Sequence, residues 1–292
     1  LTPRIRETAK SLWYIYLGIT IACALAYWMA GMTLFDAIGH SFATVATGGF
    51  STHTDSIGYF NNPTIEWISI VFMILAGANF SLHYLSLRDR SLLNYWRDPE
   101  FKVYLTAPLI ISALIAVILL ITSTYGNIHD AVRDALFHVI SIGTTTGFAT
   151  APFAEWPTFI PILIIFVGFV AGSSGSTAGG IKTIRVLLLY KQGWREIHRI
   201  IHPNAKILVK LGDDAVNERV IDSVWGFFAI YTILFVLMML MLMATDLDLE
   251  TSFSAVAACI NNVGPGLGKV TSSVASLNDF SKWVLTFAML LG

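Results

Sequence analysis

Phe35–Thr54 reads FDAIGHSFATVATGGFSTHT, and two later stretches repeat its plan: Val132–Ala151, VRDALFHVISIGTTTGFATA, and Leu249–Gly268, LETSFSAVAACINNVGPGLG. Each has an acidic start, a short apolar helical run, a small polar cluster and then glycine. Aligned on that glycine, the ends are Thr47-Gly48-Gly49-Phe50, Thr145-Thr146-Gly147-Phe148 and Asn262-Val263-Gly264-Pro265. The glycines fall 98 and 117 residues apart, and a recurrence of this kind defines the architecture before any single motif does. Each interval has room for an outer helix, a half-helix with its loop, and an inner helix. The 117 − 98 = 19 extra residues in the second interval fit a longer connection.

Composition names the solvent. Hydrophobic residues are 55% and charged residues 13%, about half the charge of an ordinary soluble domain, and the mean hydropathy is +0.68. Such a chain exposes more apolar surface than water tolerates, so its surroundings are a lipid bilayer. A spanning helix needs about 20 apolar residues. Leu12–Ala30, Glu66–Leu87, Val103–Thr124, Thr158–Ala171 and Val220–Ala244 are the candidates, and Trp283–Gly292 reads as the first half of another. The run Ile181–Tyr190 is apolar but short. Leu34–Ala46, Ala131–Ile142 and Leu249–Ile260 are too short to cross and fit re-entrant half-helices. Asp36, Asp130 with Asp134, and Asp248 with Glu250 open them, and are read as helix caps at a wet surface. Cys23 and Cys259 lie in apolar runs and are read as packing residues.

Charge orients the chain. Arg4, Arg6, Lys10, Arg88, Arg90, Arg97, Lys102 and the group from Lys182 to Arg219 put 15 of the 18 Lys and Arg residues on one side, which the positive-inside rule makes cytoplasmic. Arg133, Lys269 and Lys282 are on the other. Lys191–Asn217 is the largest polar stretch, and reads equally as an interfacial amphipathic helix, a docking loop or a solvated connection.

Enzyme chemistry finds no support. Gly175 and Gly180 have phosphate-loop spacing, but Ile181 separates Gly180 from Lys182 and a membrane span precedes them rather than a strand. The histidines are scattered; His198 and His202 alone have helical spacing, in the cytoplasmic stretch. The rival reading with physical content is a secondary transporter, where glycine-broken helices also occur. Charge pairs at the midplane would favour it, but the apolar runs hold almost none, Glu66 and Asp222 lying near ends.

The glycine loops have a definite use. An ion entering a pore loses its water, and rows of backbone carbonyls replace it. Aiming successive carbonyls at one axis requires backbone angles that glycine tolerates best. The three loops are degraded relatives of the Thr-Val-Gly-Tyr-Gly potassium filter, each keeping one glycine. Gly168–Gly180, GFVAGSSGSTAGG, holds five glycines and breaks an inner helix beside the pore. It reads as a gating loop, and non-helical backbone at that depth must face protein or water.

With the stretches ATVATGGFSTH, SIGTTTGFATAPFAEWP, GFVAGSSGSTAGGIKTIRV and NNVGPGLG together, the chain resembles the Trk/Ktr/HKT potassium transporter superfamily, and within it the TrkH-like uptake subunits. The resemblance covers nearly the whole chain. It implies an all-α integral membrane protein with repeated helix–pore loop–helix units around a pseudo-fourfold, K⁺ channel-like pore, of which the first repeat is missing here and the last incomplete. Residues 1–90 are then the family's second repeat, 91–217 the third with its broken inner helix and cytoplasmic connection, and 218–292 the fourth. The implied function is passive, selective K⁺ uptake; the alternative is Na⁺/K⁺ co-conduction or ion-coupled secondary transport. The filter residues are Ala46, Thr47, Gly48 and Gly49, then Thr144, Thr145, Thr146 and Gly147, then Asn261, Asn262, Val263 and Gly264, with K⁺ on their backbone carbonyls. The gating residues are Gly168, Gly172, Ser173, Ser174, Gly175, Ser176, Thr177, Gly179, Gly180 and Lys182. No organic cofactor and no nucleic acid are expected. The resemblance further implies a homodimer in the bacterial inner membrane, with a cytosolic nucleotide-binding TrkA-like regulatory subunit.

Overall fold

Short polar side chains start the helices, because the first N–H groups of a helix have no intrahelical acceptor. The structure is a computed structural model and describes residues 2–157, 159–203, 205, 207–212, 214–271 and 273–292. Its helices are α1 (Thr2–Met29), α2 (Leu34–Val45), α3 (Pro63–Gly77), α4 (Phe80–Asp89), α5 (Leu93–Arg97), α6 (Pro99–Ile121), α7 (Ile128–Gly143), α8 (Ile160–Phe169), α9 (Thr183–Ile201), α10 (Glu218–Met243), α11 (Leu249–Ile260) and α12 (Asp279–Leu291). Thr33, Asn62, Asn79, Asp98, Asn127, Asn217, Asp248 and Asn278 each accept a backbone N–H at the start of the helix they precede.

From Ala9 onward α1 is long and apolar enough to cross a membrane, as are α6 and α10. Ile230 and Ile233 of α10 stay more than half exposed, as lipid-facing residues do. The half-helices α2, α7 and α11 each pack between the helices that flank them in the chain. Cys23 and Tyr27 of α1 meet Ala37 of α2 and Ile70 of α3. Ile115 of α6 packs with Val139 of α7 and Ile164 of α8. Met238 of α10 packs with Cys259 of α11 and Leu285 of α12. Both cysteines are free and buried, as their apolar settings predict.

Three expectations are corrected. The run Glu66–Leu87 is not one continuous helix: α3 ends at Gly77, α4 starts at Phe80, and the two are bent by 94°. Locally the break is marked only by Gly77 and the N-cap Asn79; distant amides complete it, Ser173 N donating to the Gly77 carbonyl (2.8 Å) and Thr177 N to the Ala76 carbonyl (3.4 Å). The run Thr158–Ala171 gives only the ten-residue α8, Thr158 lying outside the described residues. Its last two residues leave the helix to pair in parallel with Ile181 and Lys182. The run Ile181–Tyr190 belongs to that pair and to α9, which continues to Ile201 through the first part of the polar stretch. Beyond it, Lys210–Leu211 and Asp214–Ala215 form a small antiparallel pair.

The third correction concerns the acidic residues. Only Asp248 is the N-cap expected, accepting the Thr251 amide and hydroxyl, which hold its carboxyl below the usual carboxylate range. Asp36 lies within the first turn of α2; the Thr33 and Thr52 hydroxyls, both at 2.6 Å, depress its carboxyl likewise. Asp130 and Asp134 serve Arg133, whose guanidinium also reaches Glu66 at 2.6 Å. Tyr125 donates to Asp134 at 2.7 Å. This cluster ties α7 to α3, so the outer Arg133 and the end-of-run Glu66 are one largely buried ion pair rather than two surface charges.

Candidate functional site

The three half-helices end with the same three backbone bonds. Ala46, Thr144 and Asn261 donate their N–H to the carbonyl four residues back, at 2.9, 2.8 and 3.3 Å. Thr47, Thr145 and Asn262 donate to the carbonyl three residues back, at 3.2, 3.0 and 3.1 Å. Gly48, Thr146 and Val263 each donate five residues back at 2.8 Å, to Ala43, Ser141 and Ala258. The chain reverses through a left-handed residue at Thr47, Thr145 and Asn262, with φ of 51°, 57° and 55°. Two residues on, Gly49, Gly147 and Gly264 have φ of 65°, 83° and 99°. Side chains other than glycine rarely adopt these angles, which is why a glycine recurs at this place.

The loops nest side by side. A Cβ on Gly49 would overlap the carbonyl oxygen of Thr146, and one on Gly147 would overlap that of Val263. Gly264 has no described atom within 4 Å of its Cβ position. Each glycine of the first two loops therefore sits against the carbonyl row of the next loop, closer than any side chain permits. The C-terminal ends of α2, α7 and α11, with their partial negative charge, converge on the same region.

Polar side chains buried along each half-helix hold the returning strand. His40 Nε2 meets Ser51 Oγ at 2.9 Å, and Ser141 donates to the Phe148 carbonyl at 2.7 Å. Ser254 Oγ accepts the Leu267 amide at 2.9 Å. Outer helices brace the same half-helices: Tyr27 OH lies 2.9 Å from Thr44 Oγ1 and donates to Ser69, and Tyr231 donates to Asn261 Oδ1 at 2.9 Å. These braces are a feature the sequence reading missed; a tyrosine inside an apolar span, needing a partner for its hydroxyl, was the available signal.

The glycine-rich segment lies across the inner side of all three loops. Thr177 Oγ1 donates to the Val45 carbonyl at 2.9 Å and reaches that of Ala76 at 3.2 Å. Gly179 N donates to Thr145 Oγ1 at 2.7 Å. A Cβ on Gly179 would come within 2.8 Å of the Asn261 carbonyl oxygen, and one on Gly172 within 2.7 Å of that of Gly77. The Gly175 carbonyl accepts Phe80 N at 3.1 Å, and the Lys182 ammonium donates to the Ala178 carbonyl. Of the residues assigned to this segment, Gly168 remains inside α8, packed on Ile142 and Val263. Gly180, with φ of 62°, leads into the strand pair. Ser173 is buried, while Ser174 and Ser176 are more open.

Glu100 is the anchor the sequence did not reveal. It is 6% exposed in the first turn of α6, and its Oε1 accepts Ser174 N at 2.6 Å and Ile184 N at 3.1 Å, one from each side of the loop. An acidic residue after Asp98-Pro99 reads as an ordinary helix start, so no local signal marks it. In the full-length protein, Glu100→Ala speeds hydrogen exchange at the Ser174 and Ile184 amides by about tenfold or more, the effect of losing a charge-assisted hydrogen bond of roughly 1.5–3 kcal/mol. Unchanged exchange would show that the carboxylate does not hold the loop.

Comparison with known proteins follows the geometry. The TrkH family profile, described as a cation transport protein, matches residues 1–292. The Trk system potassium uptake protein TrkH of Vibrio parahaemolyticus is 49% identical over 294 residues, covering all of this chain and 61% of that protein. Its counterpart in Halomonas elongata is 50% identical and 60% covered, and the Escherichia coli uptake protein TrkG is 40% identical and 60% covered. The crystal structure of the potassium transporter TrkH from Vibrio parahaemolyticus superposes with a TM-score of 0.95 at 49% identity, over all of this chain and 63% of that one. The chain thus spans about three fifths of the length of these relatives.

Proposed function

The chain belongs to the TrkH family of cation transport proteins, and we propose that it forms three quarters of a selective K⁺ pathway in a bacterial inner membrane. The observation that carries this reading is the nesting of Gly49 on the Thr146 carbonyl and of Gly147 on the Val263 carbonyl. Three loops that share three backbone bonds, two of them nested glycine against the next loop's carbonyl, supply the oxygen rows that a dehydrating cation needs. In this reading Ala46–Gly49, Thr144–Gly147 and Asn261–Gly264 are the filter segments. Residues 1–90, 91–217 and 218–292 are the repeats that carry them.

Gly172–Gly180 acts as the gate. Its Thr177 hydroxyl bonds to Val45 at the end of the first half-helix, its Gly179 amide bonds to the second loop, and Gly179 packs on the third, so an ion leaving the filter inward meets it. Lys182 adds a cation just beyond. The sparse charge of the spans favours passive conduction over coupled transport, which uses intramembrane carboxylates and bases. Family membership supports a homodimer regulated by a cytosolic TrkA-like subunit, and the charge distribution puts α9 and the segment that follows it on the cytoplasmic side.

The test is ion flux through the full-length protein in liposomes, with K⁺, Rb⁺ and Na⁺ compared under imposed gradients. K⁺ and Rb⁺ pass alike and Na⁺ is excluded, without dependence on a second ion. Equal Na⁺ flux would remove selectivity from the proposal, and an obligatory co-ion would replace conduction by coupled transport.

A further inference from the structure

We propose that an anionic phospholipid of the cytoplasmic leaflet occupies a built site on the outer face of α9, with one acyl chain beside the feet of the glycine-rich loop and its phosphate against Lys191, Arg195 and Lys210. Two hollows meet there at Tyr190. The inner one has a volume of about 480 Å³ and is almost wholly apolar. Its walls include Phe169 and Phe228, and at its base are Val170 and Ile181, the residues whose backbones pair where the loop leaves and rejoins the helices. The outer hollow, of about 460 Å³, is lined by Lys191, Arg195, His198 and Lys210, and no carboxylate lines it among the described residues. Both volumes are in the range of ligand cavities.

One elongated occupant, apolar at one end and anionic at the other, fits the pair. Arg195 supplies the observation that asks for an anion. Its side chain is only 8% exposed, and its Nε has no hydrogen-bond partner. The nearest carboxylates, Glu196 at 3.5 Å and Glu218 at 3.7 Å, lie at or beyond hydrogen-bond reach, and Glu196 already takes Gln192 and Arg199. These pairings are long, and a phosphate in the hollow that Arg195 lines would add a closer anionic partner to the guanidinium. The helix itself is built for a bilayer surface: Tyr190, Trp194, Ile197 and Ile200 are all more than half exposed, alternating with Lys191, Arg195 and Arg199. Exposed aromatic and aliphatic residues beside basic ones characterise interfacial helices, and basic pockets on the cytoplasmic side take anionic headgroups.

The experiment uses the full-length protein, delipidated in detergent and titrated with dioleoylphosphatidylglycerol or dioleoylphosphatidylcholine, with retained lipid counted by native mass spectrometry. Phosphatidylglycerol binds at least tenfold more tightly than phosphatidylcholine. Lys191→Gln with Arg195→Gln weakens it about thirtyfold, the loss expected for two surface-leaflet charges. Should the double variant unfold, Lys191→Gln alone still weakens phosphatidylglycerol and spares phosphatidylcholine. Filling the apolar hollow with Thr232→Trp weakens both lipids together. Equal affinity for the two lipids, or unchanged binding in the charge variants, overturns the proposal. So does efficient disulfide formation between two copies carrying Tyr190→Cys in native membranes, since a second copy would then cover the cleft.

Discussion

Gly147→Ser lowers the K⁺/Na⁺ permeability ratio of the full-length protein by about tenfold or more, while the protein stays folded in the membrane. Two effects add. At φ of 83° any side chain is strained, by roughly 1–2 kcal/mol. The new Cβ would also overlap the Val263 carbonyl and come within 3.1 Å of Pro265 Cδ. The second and third loops must then part, and both belong to the proposed carbonyl ring. Because that ring is read as the selective element, loss of discrimination is expected before loss of flux. Gly264→Ser has the same backbone strain at φ of 99° but no described neighbour within 4 Å, so its effect is smaller. Gly193→Ala, with open space at its Cβ and no left-handed angle, leaves flux unchanged. Permeability ratios in Gly147→Ser matching those of the unaltered protein would sink the filter assignment.

Shortening the glycine-rich segment raises K⁺ flux without the regulatory partner by about tenfold to a hundredfold. Deleting Ser174–Thr177 removes the Thr177 hydroxyl from the Val45 and Ala76 carbonyls, the Ser174 amide from Glu100 and the Gly175 carbonyl from Phe80. Hydrogen bonds contribute about 0.5–1.5 kcal/mol each, so a net loss of about 1.4–2.8 kcal/mol from the closed state with these four bonds shifts a two-state gate by that factor. The strand pair at Val170 and Ile181 is retained, which keeps the helices on either side anchored. Unchanged or lower flux in a well-folded variant would mean that the segment packs helices together and does not obstruct the path.

Much of this was legible in residue order because its causes are local. A glycine at φ of 65–99° is a local requirement of the backbone, so the loops at Gly49, Gly147 and Gly264 share that residue as they share backbone bonds. The half-helix Leu249–Ile260 was bounded correctly because Asp248 caps it and the polar Asn261-Asn262 pair follows it. The break near Gly172 was legible for the same reason: five glycines cannot sustain a helix. Membrane residence followed from composition alone.

What the tertiary structure decided are the features whose causes lie far along the chain. Within Glu66–Leu87 only Gly77 and the N-cap Asn79 mark the break, and amides about a hundred residues later supply the last carbonyls of α3 with donors. Glu100 looks like any helix-start acid until Ser174 and Ile184 are brought to it. Glu66 and Arg133 look like separate surface charges until α3 and α7 pack and bury them together. A buried donor or acceptor must find a partner, but its own sequence does not say which. Residue order determined where the backbone must turn and which stretches prefer lipid; packing determined which distant groups satisfy one another, and so where the loop across the pathway is held.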